Sequence, residues 1–126
     1  MTSERESLGE LQLQVMQVVW ELGDGTVAEV HEALCESRPL AYTTVLSTLR
    51  GLERRDYVSH TTEGKAHRFS PRVSREQHTD ASISKLVTNL FGGQPEKLMS
   101  HLMGGEELDD AQRRRIRALL AEEGER

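Results

Sequence analysis

The segment Pro39-Leu40-Ala41-Tyr42-Thr43-Thr44-Val45-Leu46-Ser47-Thr48-Leu49-Arg50-Gly51-Leu52-Glu53-Arg54-Arg55 decides how the rest of the chain is read. Val45, Leu49 and Leu52 recur at helical spacing and predict one buried stripe. Thr43, Thr44, Ser47 and Arg50 fall on other faces and form a patch of small hydrogen-bonding groups with one guanidinium. A helix that enters a DNA major groove needs that chemistry: short polar side chains near its start and an arginine able to pair bidentately with guanine. Arg54 and Arg55 close the helix, where cations favour the negative end of the dipole and are within reach of phosphates. Pro39 stops any helix that precedes it. An ordinary amphipathic helix with a solvated polar face has the same pattern, so the flanking sequence has to choose.

Charge is the first discriminator. The chain has 126 residues and a net charge of -5, which taken whole argues against a polyanionic partner. Its distribution argues the other way. Residues 1–37 carry one basic and eight acidic side chains, residues 38–72 seven basic and three acidic, and residues 73–126 eight basic and ten acidic. Positive charge is gathered on the middle segment, as phosphate neutralisation requires. The length fits one domain with an appendage, long enough for a real core. A lone cysteine, Cys35, excludes an intramolecular disulfide and an all-cysteine metal site; it reads as a half-buried helix residue. No long apolar run and no signal peptide is present, so a cytoplasmic protein without membrane insertion is expected.

Upstream, a first helix is predicted from about Gly9 to Leu22, with Leu11, Val15, Val18, Val19 and Leu22 apolar. Ser7-x-x-Glu10 fits a capping box, and Gly9 is also tolerated as N-cap. Trp20 is assigned to the core. Gly23-Asp24-Gly25 breaks the helix. Thr26-x-x-Glu29 is a second capping box, opening a short helix to about Glu36 with Val27, Val30 and Leu34 inward and Glu29, Glu32 and Glu36 outward. His31 has no metal-spaced partner on this helix and is read as a surface residue. Three short helices with brief links, the third polar on its outward side, are the ingredients of a helix-turn-helix.

Downstream, residues 57–62 are β-rich, Glu63-Gly64-Lys65 supplies a turn, residues 66–70 return, and Pro71 ends the ladder. Alternation sends Phe69 to the core and Arg68 outward. A basic ribbon after a helix-turn-helix is the wing of a winged helix, with Lys65 at its tip and Arg68 as candidate phosphate or minor-groove contacts. A solvated hairpin with incidental charge is the competing reading. Three amphipathic helices follow: one from the Ser74-x-x-Gln77 cap to about Phe91, one from Pro95 to about Met103, and one from the Asp109-x-x-Gln112 cap. Their stripes include Leu86, Leu90, Phe91, Leu98, Leu102, Ile116, Leu119 and Leu120. Arg113, Arg114, Arg115 and Arg117 read as a solvated face. Helices this short gain stability only by packing. A winged-helix core is closed by its own helices and ribbon, so these stripes predict a second copy as partner. The predicted fold is mainly α with a small β-hairpin wing: a winged helix-turn-helix in residues 1–72 and a helical dimerisation domain in residues 73–126.

The order and spacing of several stretches resemble the BlaI/MecI, or penicillinase-repressor, family over about Leu8 to Leu120. They are Leu-Gly-Glu-Leu-Gln-Leu-Gln-Val-Met-Gln-Val-Val-Trp (8–20), Thr-Val-Ala-Glu-Val-His-Glu-Ala-Leu (26–34), Ala-Tyr-Thr-Thr-Val (41–45) with Leu49 and Leu52, and Ala-His-Arg-Phe-Ser-Pro (66–71). The resemblance implies a homodimeric repressor of a palindromic DNA operator. It matches Tyr42, Thr43, Thr44 and Ser47 to the start of the base-reading helix and residues 57–70 to the wing. In antibiotic-responsive members a membrane sensor signals and the repressor is cut between an Asn and a Phe in the dimerisation region. The corresponding bond here is near Ser100-His101, and the Asn-Phe pair is absent. Copper-responsive relatives carry a cysteine-rich site near the C-terminus, which this chain lacks, so no metal or other cofactor is expected.

Two other classes compete. A winged-helix protein–protein adaptor without DNA binding is disfavoured by the basic middle segment. An enzyme is disfavoured because no His-Glu-x-x-His, glycine-rich phosphate loop, nucleophile elbow or paired cysteines occur. The five histidines are scattered; only His60 and His67, both on the hairpin, offer a conceivable zinc pair.

Overall fold

The computed structural model describes residues 8–124. Its elements are α1 (Glu10–Leu22), β1 (Gly25–Thr26), α2 (Val27–Cys35), α3 (Tyr42–Arg54), β2 (Val58–Glu63), β3 (Ala66–Pro71), α4 (Arg75–Leu90), α5 (Pro95–Gly104) and α6 (Asp110–Gly124). They divide after Asp80 into two compact units.

The helix starts follow the capping signals. Thr26 Oγ1 accepts from the Glu29 amide at 3.2 Å while the Glu29 carboxylate accepts from the Thr26 amide at 3.0 Å. Ser74 with Gln77 and Asp109 with Gln112 close the same reciprocal pair of bonds. Each box satisfies amides that the helix itself leaves unpaired. Gly9 is the N-cap of α1; Ser7, the other candidate, lies outside the described residues.

The first unit is a three-helix cluster with a small sheet. Val15, Met16 and Val19 of α1, Val27, Val30 and Leu34 of α2, and Val45, Leu49 and Leu52 of α3 meet in one buried cluster with Tyr57, Val58, Phe69 and Val73. Phe69 is the largest fully buried side chain. Each such residue contributes on the order of 1.5–3 kcal/mol by leaving water. Trp20 packs at the edge, and its indole N–H donates to the Val73 carbonyl at 2.9 Å.

The sheet has one strand more than the hairpin reading predicts. Gly25 pairs with Phe69 and Thr26 with Arg68, so the order is β1-β3-β2. A two-residue strand carries no alternation for sequence analysis to detect. Gly25 fits a close approach there: an added Cβ would sit 3.1 Å from Leu22 Cδ1 and 3.3 Å from Val30 Cγ2. The β2–β3 turn is the two-residue loop Gly64-Lys65 between the paired Glu63 and Ala66. Gly64 has φ +63°, which a loop with glycine at its first central position requires.

The second unit contains most of α4 together with α5 and α6. Among its described residues Val87 is buried. Arg113 of α6 caps the end of α5: its guanidinium donates to the Met103 carbonyl at 2.9 Å and the Gly105 carbonyl at 2.6 Å, and pairs with Asp110 at 3.2 Å. It is therefore a helix-capping residue, while Arg114, Arg115 and Arg117 are exposed.

Candidate nucleic-acid interface

The buried stripe of α3 determines what its other side presents. With Val45, Leu49 and Leu52 fully buried, the positions half a turn away point outward. These are Thr43, Ser47, Arg50 and Arg54, all exposed, spaced four, three and four residues apart. That is one continuous stripe along a helix. Two hydroxyls lie at its N-terminal end and two guanidinium groups follow. Arg50 and Arg54 make no salt bridge with any described residue, so their charge and donors are available to an outside ligand.

The start of α3 reinforces this. Its N-cap, Ala41, has no side chain that can cap, and its first turn carries no acidic residue. Tyr42 is 48% exposed there, with its ring edge-on to His31. Between α2, α3 and the hairpin tip is a shallow cleft of about 220 Å³, lined by Thr26, Ala28, Tyr42, Leu46, Arg50 and Lys65 among others. Arg50 of α3 and Lys65 at the hairpin tip thus open onto one concavity. A phosphodiester with a base edge beside it suits such a surface: cations for the phosphate, hydroxyls and a guanidinium fork for the base.

Not every predicted residue joins this face. Thr44 is half-buried, and its carbonyl accepts the Thr48 hydroxyl at 2.8 Å. Arg55 turns back onto the fold: its guanidinium donates to Gln12 Oε1 at 2.7 Å and lies 5.5 Å from the Tyr57 ring centroid. Arg68 departs furthest from expectation. It leaves the core face as alternation requires, but three carboxylates occupy its guanidinium. Asp24 is at 2.9 Å, Glu29 at 3.2 Å, and both Glu63 oxygens are at 3.1 Å. These partners raise the Arg68 pKa further, and Arg68 in turn holds the Glu63 carboxyl below its ordinary range. A cation surrounded in this way is a poor phosphate contact.

Sequence reasoning missed two features. Arg38, in the α2–α3 connection, is exposed and donates to Gln14 at 2.8 Å; it adds a cation beside the helix-turn-helix and was visible as part of the basic segment. His31 is half-buried rather than on the surface, with its Nε2 2.7 Å from the Leu40 carbonyl and 3.4 Å from Cys35 Sγ. It ties α2 to the loop that leads into α3, a contact no spacing rule announces.

His60 and His67 do meet on the wing, but as stacked rings with centroids 4.3 Å apart, and His60 Nδ1 is 2.6 Å from Glu53. Among the described residues no group of three or more His, Cys, Asp or Glu side chains is arranged to hold a metal ion. No described helix is long and apolar enough to cross a membrane. In the second unit, Leu86, Leu90, Leu119 and Leu120 are exposed, whereas Phe91, Leu98, Leu102 and Ile116 are half-buried. Ser100 and His101 are exposed and lie inside α5.

Comparison with known proteins gives a consistent result. A family model described as penicillinase repressor matches residues 8–122. The chain is 32% identical over 123 residues to the transcriptional regulator BlaI of Mycobacterium tuberculosis strain H37Rv, covering 94% of this chain and 89% of the relative. Among solved structures, the DNA-binding domain of the repressor BlaI superposes with a TM-score of 0.53 at 21% identity, over 61% of this chain and 93% of that one. A complex structure of hsRosR-S4 superposes over 96% of this chain and 93% of that one, with a TM-score of 0.57 at 12% identity. The two structural likenesses concern the fold; the sequence matches carry the assignment, and on them the chain belongs to the penicillinase repressor family of winged-helix transcriptional regulators.

Proposed function

We propose that the chain is a homodimeric transcriptional repressor that reads a palindromic DNA operator with α3 and grips the backbone with its wing. The observation that carries this reading is the outward stripe Thr43–Ser47–Arg50–Arg54, set opposite the buried stripe, with Arg50 sharing a cleft with Lys65. Tyr42, Thr43, Ser47 and Arg50 serve as base readers, Arg54 and Lys65 as phosphate contacts. Thr44 and Arg55 support the helix from its sides.

In this reading residues 1–72 bind DNA, with the first turns of α4 packed on them, and residues 73–126 assemble the dimer. Leu90 is 69% exposed, Leu119 60% and Leu120 55%. Apolar side chains so exposed gain free energy when a second copy covers them. Two-fold symmetry then places two copies of α3 one helical turn of DNA apart, or a multiple of it. Derepression by a membrane sensor and protease would need α5 to unwind, because a peptidase takes its substrate extended and Ser100-His101 lies within that helix.

The test is fluorescence anisotropy with the upstream region of the chain's own gene and with random duplex, at two salt concentrations. A repressor binds its operator roughly 10³-fold or more tighter than random DNA, and both affinities fall with salt. A chain that forms no salt-sensitive complex with either duplex is an adaptor, and the proposal fails.

A further inference from the structure

We propose that Arg68 is a positioning residue, which sets the angle of the wing against the helix-turn-helix by holding carboxylates from three elements at once. The inference rests on the DNA-binding reading above and assigns the wing's orientation to a specific ion network.

The geometry is that of a tie. Nη1 reaches Asp24 in the α1–β1 turn at 2.9 Å and Glu29 on α2 at 3.2 Å. Nε and Nη2 grip the two Glu63 oxygens near the wing tip, each at 3.1 Å. Glu63 and Arg68 are diagonal neighbours on one face of the hairpin, since Glu63 pairs with Ala66 and Thr61 with Arg68. The same Glu29 oxygen accepts the Thr26 amide, and Thr26 pairs with Arg68 across β1–β3. One guanidinium thus connects the capping box of α2, the turn before it and the end of β2.

Charge separates this role from a DNA contact. One cation among three carboxylates leaves a locally negative cluster, which repels a phosphate. The lever arm explains why the tie matters. The tip is three residues beyond Arg68, roughly 10 Å along the strand. A swing of about 20° at the base would carry Lys65 some 3–4 Å, on the order of one hydrogen-bond length, out of reach of its phosphate. Lys65 itself makes no salt bridge with any described residue that would hold it in place.

The experiment compares operator and random-duplex affinities for the wild-type chain, Glu63→Ala, Arg68→Lys, and Arg68→Ala placed on Lys65→Ala. Glu63→Ala removes a negative charge, so electrostatics alone raises affinity for every duplex. A positioning role gives the opposite sign: operator affinity falls roughly threefold or more, and random-duplex affinity falls with it, because Lys65 contacts a phosphate that every duplex offers. Arg68→Lys keeps the charge but loses the fork, and shows the same fall. On the Lys65→Ala background, Arg68→Ala leaves the salt slope unchanged, because the contact it positions is already gone. The inference is overturned if Glu63→Ala tightens operator and random DNA alike, if Arg68→Lys binds as wild type, or if the last substitution lowers the slope by about one. A wild-type chain with no salt-sensitive complex on any duplex would instead overturn the DNA-binding reading, and the inference with it.

Discussion

The two halves of the chain spend similar apolar side chains in opposite ways. In the first, thirteen of the described residues, from three helices, the wing and the segments beside it, are buried together. In the second, Ile83, Leu86, Leu90, Leu119 and Leu120 stay between 39% and 69% exposed. Composition does not separate the halves; geometry does. Three crossing helices with a sheet strapped over them cover one another's stripes, whereas α4, α5 and α6 leave part of theirs open. An unclosed core is a defect in a monomer and an interface in an oligomer.

The strongest way to break that contrast is Leu90→Asp. An exposed leucine can be replaced without harming the protomer's fold, but a two-fold interface contains it twice. Losing about 2 kcal/mol at each copy weakens association by about 4 kcal/mol, or roughly a thousandfold. Sedimentation at micromolar concentration should then show monomers. Dimers that persist would show that the open stripe of α4 is not the interface.

Next in size is a matched pair of truncations. Leu49→Ala, inside the closed core, should cost about 2–5 kcal/mol of unfolding free energy. Leu119→Ala, in the open half, should cost the monomer less than about 0.5 kcal/mol. Both belong in the Leu90→Asp background, since dimerisation would otherwise couple apparent stability to concentration. Denaturant midpoints read the difference directly; equal losses would mean that α6 is already packed within its own protomer.

Arg50→Ala sharpens the comparison within the first half, between residues on the open stripe and residues tied into the fold. It should weaken operator binding by about 1–3 kcal/mol and relax specificity, while Lys65→Ala weakens all duplexes alike. An Arg50→Ala variant that loses operator and random DNA equally is not reading a base.

What the sequence made legible was whatever depends on local periodicity. The stripe Val45–Leu49–Leu52, the capping boxes at Thr26, Ser74 and Asp109, and the Gly64-Lys65 turn all follow from neighbours a few residues apart. What it concealed depends on distant partners. Arg68 looked like a free cation because Asp24 and Glu29 lie 44 and 39 residues away in the chain; only Glu63 was within reach of a register argument. Arg55 was likewise read as a phosphate contact because Gln12, 43 residues upstream, gives no local sign of receiving it. Basic residues are easy to count from sequence, but their availability is a tertiary property.

The smallest expected effect concerns the seam where α4 leaves the first half. His78 sits between two rings, 5.7 Å from the centroid of Trp20 and 5.9 Å from that of Tyr57. Arg75 lies 5.7 Å from the Trp20 ring. Burial pushes the His78 pKa below its ordinary value of 6.5, because the charged imidazolium loses more hydration than the neutral ring. The unfolded chain therefore holds a proton on this residue over a window in which the folded chain does not. Stability from neutral His78 is complete above pH 6.5 and is lost as pH falls through the lower folded value. Replacing His78 by Gln removes that dependence, so the difference in melting temperature between wild type and His78→Gln should shrink between pH 7 and pH 5. The His78 titration followed by NMR gives the sign independently. A midpoint at or above 6.5 would mean that the neighbouring Trp20 and Tyr57 rings hold the imidazolium more strongly than burial disfavours it, making this a cation-binding site instead of an apolar contact.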